Sequence, residues 1–96
     1  MSPEPELEIS NNAAKHRIET VVDNRLAKID YYLGEGKIYY THTYVPPELE
    51  GRGIASRMAK FALEYARQER LMVIPDCPFV SAYIKRHPEY QPLVAG

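Results

Sequence analysis

The fold this chain of 96 residues predicts is α/β: an antiparallel meander followed by helix, strand and helix on one mixed sheet. Three observations carry that prediction. β-rich runs joined by tight turns fill residues 17–45. A stretch with apolar residues at helical spacing then runs from Gly53 to Arg70. A short, wholly apolar run, Leu71-Met72-Val73-Ile74, follows directly. Strand, helix and strand in that order ask for a parallel pair with the helix packed on the sheet.

Arg17-Ile18-Glu19-Thr20-Val21-Val22 is rich in β-branched residues and stops at the turn signal Asp23-Asn24. From Arg25 to Leu33, Leu26 alternates with Lys28 and Ala27 with Ile29, so one face is buried and one wet. Gly34-Glu35-Gly36 turns the chain into Lys37–Val45, β-branched and aromatic almost throughout. Pro46-Pro47 stops that strand, because proline has no ladder donor. In the helical stretch Ile54, Met58, Ala62, Tyr65 and Ala66 share a face, while Arg57, Lys60, Glu64 and Arg67 cover the other side. Pro75 ends the apolar strand. A second helix fits Pro78–Arg86, with proline at its first position and Pro88 holding His87 out of helical geometry. Leu7-Glu8-Ile9 alternates and is read as an extra short edge strand, with Asn11-Asn12 as a turn. Residues 1–5 read as a disordered tail, and 6–96 as a single compact domain.

A net charge of −1 gives no global field towards nucleic acid or an anionic membrane, and neither is expected as a partner. The single cysteine, Cys77, excludes an internal disulfide and a multi-cysteine zinc site, and the scattered histidines suggest no metal site. No apolar run approaches the ~20 residues of a membrane span. Met1–Glu8 lacks the basic and apolar parts of a signal peptide. The expectation is a cytoplasmic protein, monomeric or weakly dimeric.

The turn between Val45 and Ile54 carries the chemistry. Ligands of strand–turn–helix units sit outside the carboxyl ends of the strands. Gly51 and Gly53 tolerate positive φ and let backbone approach a ligand closely, and Ala55 is small for the same reason. The helix start offers unpaired N–H groups and a positive dipole end to an anion, with Arg52 and Arg57 able to add charge-assisted contacts. It is no P-loop, since Gly-Lys-Ser/Thr is missing, and no dinucleotide fingerprint, since Ser56 stands where a third glycine is needed. The plainer reading is a tight turn without a ligand.

Val45-Pro46-Pro47-Glu48-Leu49-Glu50-Gly51-Arg52-Gly53-Ile54-Ala55-Ser56-Arg57-Met58 resembles the acyl-CoA-binding segment of the GNAT superfamily of N-acetyltransferases, whose pattern is Gln/Arg-x-x-Gly-x-Gly/Ala. Gly53 and Ala55 match its last two anchors, whereas Glu50 stands where Gln or Arg is usual. Thr41-His42-Thr43-Tyr44-Val45-Pro46-Pro47 and Pro75-Asp76-Cys77-Pro78-Phe79-Val80 are similar to the compact GNAT-like acetyltransferases of about this length. The resemblance implies a GNAT-like fold and acetyl-CoA as cofactor. It places pantetheine between the strands Thr41–Val45 and Leu71–Asp76, the thioester at the backbone of Thr43, Tyr44 and Val45, and diphosphate on Gly51, Arg52, Gly53, Ile54, Ala55 and Ser56.

For the chemistry three residues are candidates, each beside a plainer role. Tyr83 matches the tyrosine of the family's Tyr-x-x-x-Gly-Phe, which lies near the sulfur, though His87 and Pro88 depart from Gly-Phe and Asp76 replaces the usual Asn. It is a candidate acid, or a packing tyrosine. Cys77, just past a strand end, is a candidate nucleophile beside the thioester, or a small buried hydrophobe. His42 is a candidate base, or a strand histidine; simple alternation puts it on one face with Tyr40 and Tyr44. His16 and His87 have no partner pattern.

The function so implied is acetyl transfer from acetyl-CoA to an exposed amine, such as a protein lysine or terminus or a polyamine. The tight turns leave no enclosing loops, so the acceptor site should be open and shallow. The alternatives are a non-catalytic acyl-CoA-binding module and an interaction domain that binds no nucleotide.

Overall fold

A computed structural model of the protein describes residues 7–95, so the expected tail at residues 1–5 lies outside the described residues. Among the described residues five strands form one sheet in chain order: β1 (Ser10–Asn12), β2 (Arg17–Val22), β3 (Arg25–Gly34), β4 (Lys37–Tyr44) and β5 (Met72–Pro75). β1 to β4 pair antiparallel, and β5 joins β4 in parallel after the helix α1 (Ile54–Gln68). A second helix, α2 (Pro78–Arg86), follows β5. The meander and the helix–strand–helix unit are those the sequence predicts.

The β2–β3 hairpin turns on Asp23 and Asn24, both left-handed at φ 51° and 62°. Short Asx side chains tolerate that region, and a turn of that hand matches the twist of the strands it joins. At the N-terminus the sequence reading needs correction. Leu7–Ile9 is not a strand; the short edge strand is β1, three residues later. Asn12, read as part of a turn, ends β1, and its side chain accepts a bond from the Lys15 N–H, capping a 3-10 turn over Ala13–Lys15. The sheet partner decides this: Ser10–Asn12 finds Arg17–Glu19 in register. β5 runs on into Pro75, which is tolerated as the last residue of the strand.

Register assigns the faces. Ile18, Ala27, Ile29, Tyr31, Ile38, Tyr40 and Val73 point to one side and are buried against Met58, Ala59, Ala62, Leu63 and Ala66 of α1. Three alanines on that helix face let the sheet come close. The Tyr40 hydroxyl donates to the Ala62 carbonyl at 2.6 Å, and burial pushes its pKa up. Val80, Tyr83 and Ile84 of α2 join the same core. Among the described residues no helix covers the opposite side: Val21, Tyr32, Tyr44 and Met72 are 62, 51, 44 and 39% exposed there.

A bulge divides β4. Asp30 pairs with His42 but Tyr31 pairs with Tyr40, which leaves Thr41 as an extra residue. Alternation restarts beyond it. Thr43, opposite Ile29, faces the helices as Tyr40 does, while His42 and Tyr44, opposite Asp30 and Lys28, face the open side. The sequence reading that put His42 on the face of Tyr40 is therefore corrected, because the bulge consumes one residue.

The C-terminal segment straps the fold. Tyr90 donates to Glu64 at 2.7 Å and lies under the Arg67 guanidinium, 5.2 Å from its ring centre. Val94 then bridges Val73, extending the sheet past β5.

Candidate functional site

β4 is four residues longer than its contact with β5. The last paired residues are Tyr40 and Pro75, and one more bond, from the Cys77 N–H to the Tyr40 carbonyl at 2.8 Å, closes the ladder. Beyond it Thr41–Tyr44 keeps only β3 as a strand neighbour among the described residues, while the chain after β5 turns into α2. A cavity of about 610 Å³ opens between the end of β4 and the start of α1.

Thr43, Tyr44 and Val45 form one wall of the cavity, and the turn residues Glu50, Gly51 and Gly53 form another. Ile54, Ala55 and Ser56, the first turn of α1, face it. Pro47, Leu49 and Phe79 supply apolar surface. Eight of the nine residues read from sequence as cofactor-binding thus line one space. The ninth, Arg52, does not: its guanidinium pairs with Asp23 at 3.0 Å, bracing the turn against the β2–β3 hairpin. The sequence could not show that the hairpin lies within reach.

The turn is built for open backbone. Gly51 and Gly53 sit at φ 83° and 73°, a region that strains any side-chain-bearing residue. A Cβ on either would meet nothing within 4 Å, so conformation rather than crowding asks for glycine. Gly53 caps α1 with no side-chain bond, and the first intrahelical bond runs from the Arg57 N–H to the Gly53 carbonyl at 3.1 Å. The N–H groups of Ile54, Ala55 and Ser56 therefore have no intrahelical acceptor, at the positive end of the helix. Leu49, 1% exposed, anchors the turn to the core. It is a site residue the sequence reading missed; a lone Leu between Glu48 and Glu50 was its signal. Phe79 was missed also, though it follows Cys77 by two residues in the first turn of α2.

The catalytic candidates are dispersed. Cys77 is 2% exposed and lies behind the wall, its Sγ 2.9 Å from Thr43 Oγ1. His42 is exposed on the open side and is not on the cavity wall. Tyr83 is not on the wall either. It packs between α1 and the C-terminal strap, with its ring stacked on His87 at 3.9 Å and its backbone carbonyl accepting from His87 Nδ1. Burial, then the nearby Glu89 and Glu64, raise the pKa of its phenol. Among the described residues, Tyr44 and Glu50 are the only titratable side chains that line the cavity. Among the described residues no cluster of His, Cys, Asp and Glu could hold a metal ion.

The family model of GCN5-related N-acetyl-transferases matches residues 17–93, which is most of the chain and contains the whole site. The chain belongs to this family. A GCN5-like chain from Staphylococcus aureus, solved by NMR, superposes with a TM-score of 0.72 and 30% identity over 94% of this chain and 89% of that one. Protein NATD1 of Xenopus tropicalis is 25% identical over 91 residues, spanning 92% of this chain and 84% of its own length. Protein NATD1 of Homo sapiens is 37% identical over 57 residues, and that match spans half of the human chain. The fold is thus that of a GCN5-related acetyltransferase, with both helices on one face of the sheet. Among the described residues no helix is long and apolar enough to cross a membrane.

Proposed function

We propose that this chain is a single-domain, acetyl-CoA-dependent N-acetyltransferase that moves an acetyl group to an exposed amine, a protein lysine or terminus or a polyamine. The observation that carries this reading is the cavity itself, set between a strand end that has lost its partner and an uncapped helix start. The amides of Ile54, Ala55 and Ser56 and the bare backbone at Gly51 and Gly53 fit the diphosphate of CoA. The free edge of Thr43–Val45 fits the amide-bearing pantetheine arm and can polarise a carbonyl placed against it. Acetyl-CoA supplies, when bound, a thioester open to attack by a neutral amine.

His42 accepts the proton of the incoming ammonium from the open side, which is where an extended or exposed acceptor has access. Cys77 supports a place at the acyl end through its contact with Thr43. Its burial, and its lack of a basic partner among the described residues, favour direct transfer over an acetyl-cysteine. For Tyr83 the buried stack on His87 supports a packing role. Tyr83→Phe, which keeps the ring, should then leave turnover largely unchanged.

The test is acceptor-dependent release of CoA from acetyl-CoA, with lysine peptides and polyamines as acceptors. Release with no acceptor in the panel, or tight CoA binding with no release at all, would sink the enzyme reading. The second outcome is the signature of a non-catalytic acyl-CoA-binding module. One observation favours that module: among the described residues Tyr44 and Glu50 are the only titratable groups on the wall. Failure of CoA to raise the melting temperature would remove both readings, since a bound ligand must stabilise the folded state.

A further inference from the structure

The inner end of the cavity lies where β4 and β5 part. The wedge begins at the bond between Cys77 N–H and the Tyr40 carbonyl, 2.8 Å long. Thr43 and Phe79 both line the cavity. Just above the apex Thr43 Oγ1 and Cys77 Sγ meet at 2.9 Å, so the two side chains bridge the wedge on the helix side. Neither can step aside cheaply. Thr43 is β-branched and sits in a strand, which restricts its χ1. Cys77 is tied through its N–H to Tyr40 and through its carbonyl to the Ser81 N–H at 3.0 Å, and Pro78 follows it.

The geometry points to the Thr43–Cys77 pair as the floor of the acyl end, restricting the site to acetyl and propionyl thioesters. This rests on the reading that the cavity holds acyl-CoA with its diphosphate on Gly51–Ser56. That placement leaves the thioester at Thr43, and any longer acyl group has to run into the pair. The pair acts by bulk. A close-packed wall does not yield to added methylenes without displacing atoms. Removing the Thr43 hydroxyl and methyl and the Cys77 sulfur opens a pocket flanked by Phe79, and each methylene then buried should gain roughly fourfold in affinity.

Titration calorimetry on the whole chain with CoA, acetyl-CoA, butyryl-CoA and hexanoyl-CoA tests this. The unaltered protein should bind butyryl-CoA at least about tenfold more weakly than acetyl-CoA. The double variant T43A/C77A should bring the two to parity or reverse them. Thr43→Val keeps the bulk and loses the hydroxyl, so it should keep the original preference. Thr43→Ser loses one methyl, keeps the contact and serves if the double variant does not fold; it should narrow the gap by roughly fourfold. Equal binding of acetyl- and butyryl-CoA by the unaltered protein overturns the inference. So does a T43A/C77A or T43S protein with the original ratio, or a loss of preference in T43V. CoA itself separates the two levels. If the unaltered protein does not bind CoA, the reading of the cavity falls and the floor with it. If CoA binds and the acyl series is flat, only the floor falls.

Discussion

β4 contains two regions that differ in one respect. From Lys37 to Tyr40 it has a neighbour on each side, and Ile38 and Tyr40 are fully buried. From Thr41 to Tyr44 it has β3 alone, and Thr41, His42 and Tyr44 are exposed. Composition does not separate the halves, since both are β-branched and aromatic. The difference is where the partner ends. Pro75 and Pro78 turn the neighbouring chain away and leave β4 with unpaired backbone beside a helix start that is unpaired as well. The first half is packed into the core, and the cavity opens beside the second.

The sharpest way to break that division is a core substitution that also changes binding. Ile38→Ala should lower unfolding free energy by about 2–5 kcal/mol in urea titration. The molecules that remain folded should bind CoA as before. A large loss of affinity per folded molecule would mean that the two halves are coupled. Gly53→Ala probes the other side. Its left-handed backbone should cost about 1–2 kcal/mol of stability. CoA affinity should fall by roughly tenfold or more, because one or two charge-assisted backbone bonds are misaimed.

Alkaline pH sharpens the comparison from the side of the core. Tyr40, Tyr31, Tyr83 and Tyr90 are all held above the ordinary phenol range, with burial as the first cause in each. A folded pKa above the unfolded value means that this stability is complete below about pH 10 and is lost as pH rises further. Tyr90→Phe, which also removes the bond to Glu64, should flatten the alkaline unfolding profile. An unchanged profile would show that the strap is loose. Smallest of all is Arg52→Ala. It breaks an exposed ion pair with Asp23, so melting should report at most about 0.5 kcal/mol. A tenfold loss of CoA affinity would place Arg52 in the binding site despite its pairing with Asp23.

Much of the site was legible because local rules apply there. Gly-x-Gly before a helix and proline pairs after a strand act within a few residues, so Gly51, Gly53 and Ala55 were readable without a fold. Strand faces were readable up to the bulge and not beyond it. Thr41 looks like any other strand residue, and only the pairing of Tyr31 with Tyr40 and Asp30 with His42 reveals the extra residue. The same holds for β1, placed by its register with β2, and for Leu49, whose burial needs the packed turn.

The sequence by itself determined the element order, the parallel pairing of β4 with β5 and the glycine turn. Each follows from periodicity, proline and the φ demands of glycine, which are properties of neighbouring residues. The tertiary structure decided which groups meet. It put Thr43 on Cys77, gave Arg52 to Asp23, packed Tyr83 against His87 and turned His42 to the open side. Those outcomes depend on register and on contacts between residues far apart in the chain, where no local pattern carries the information.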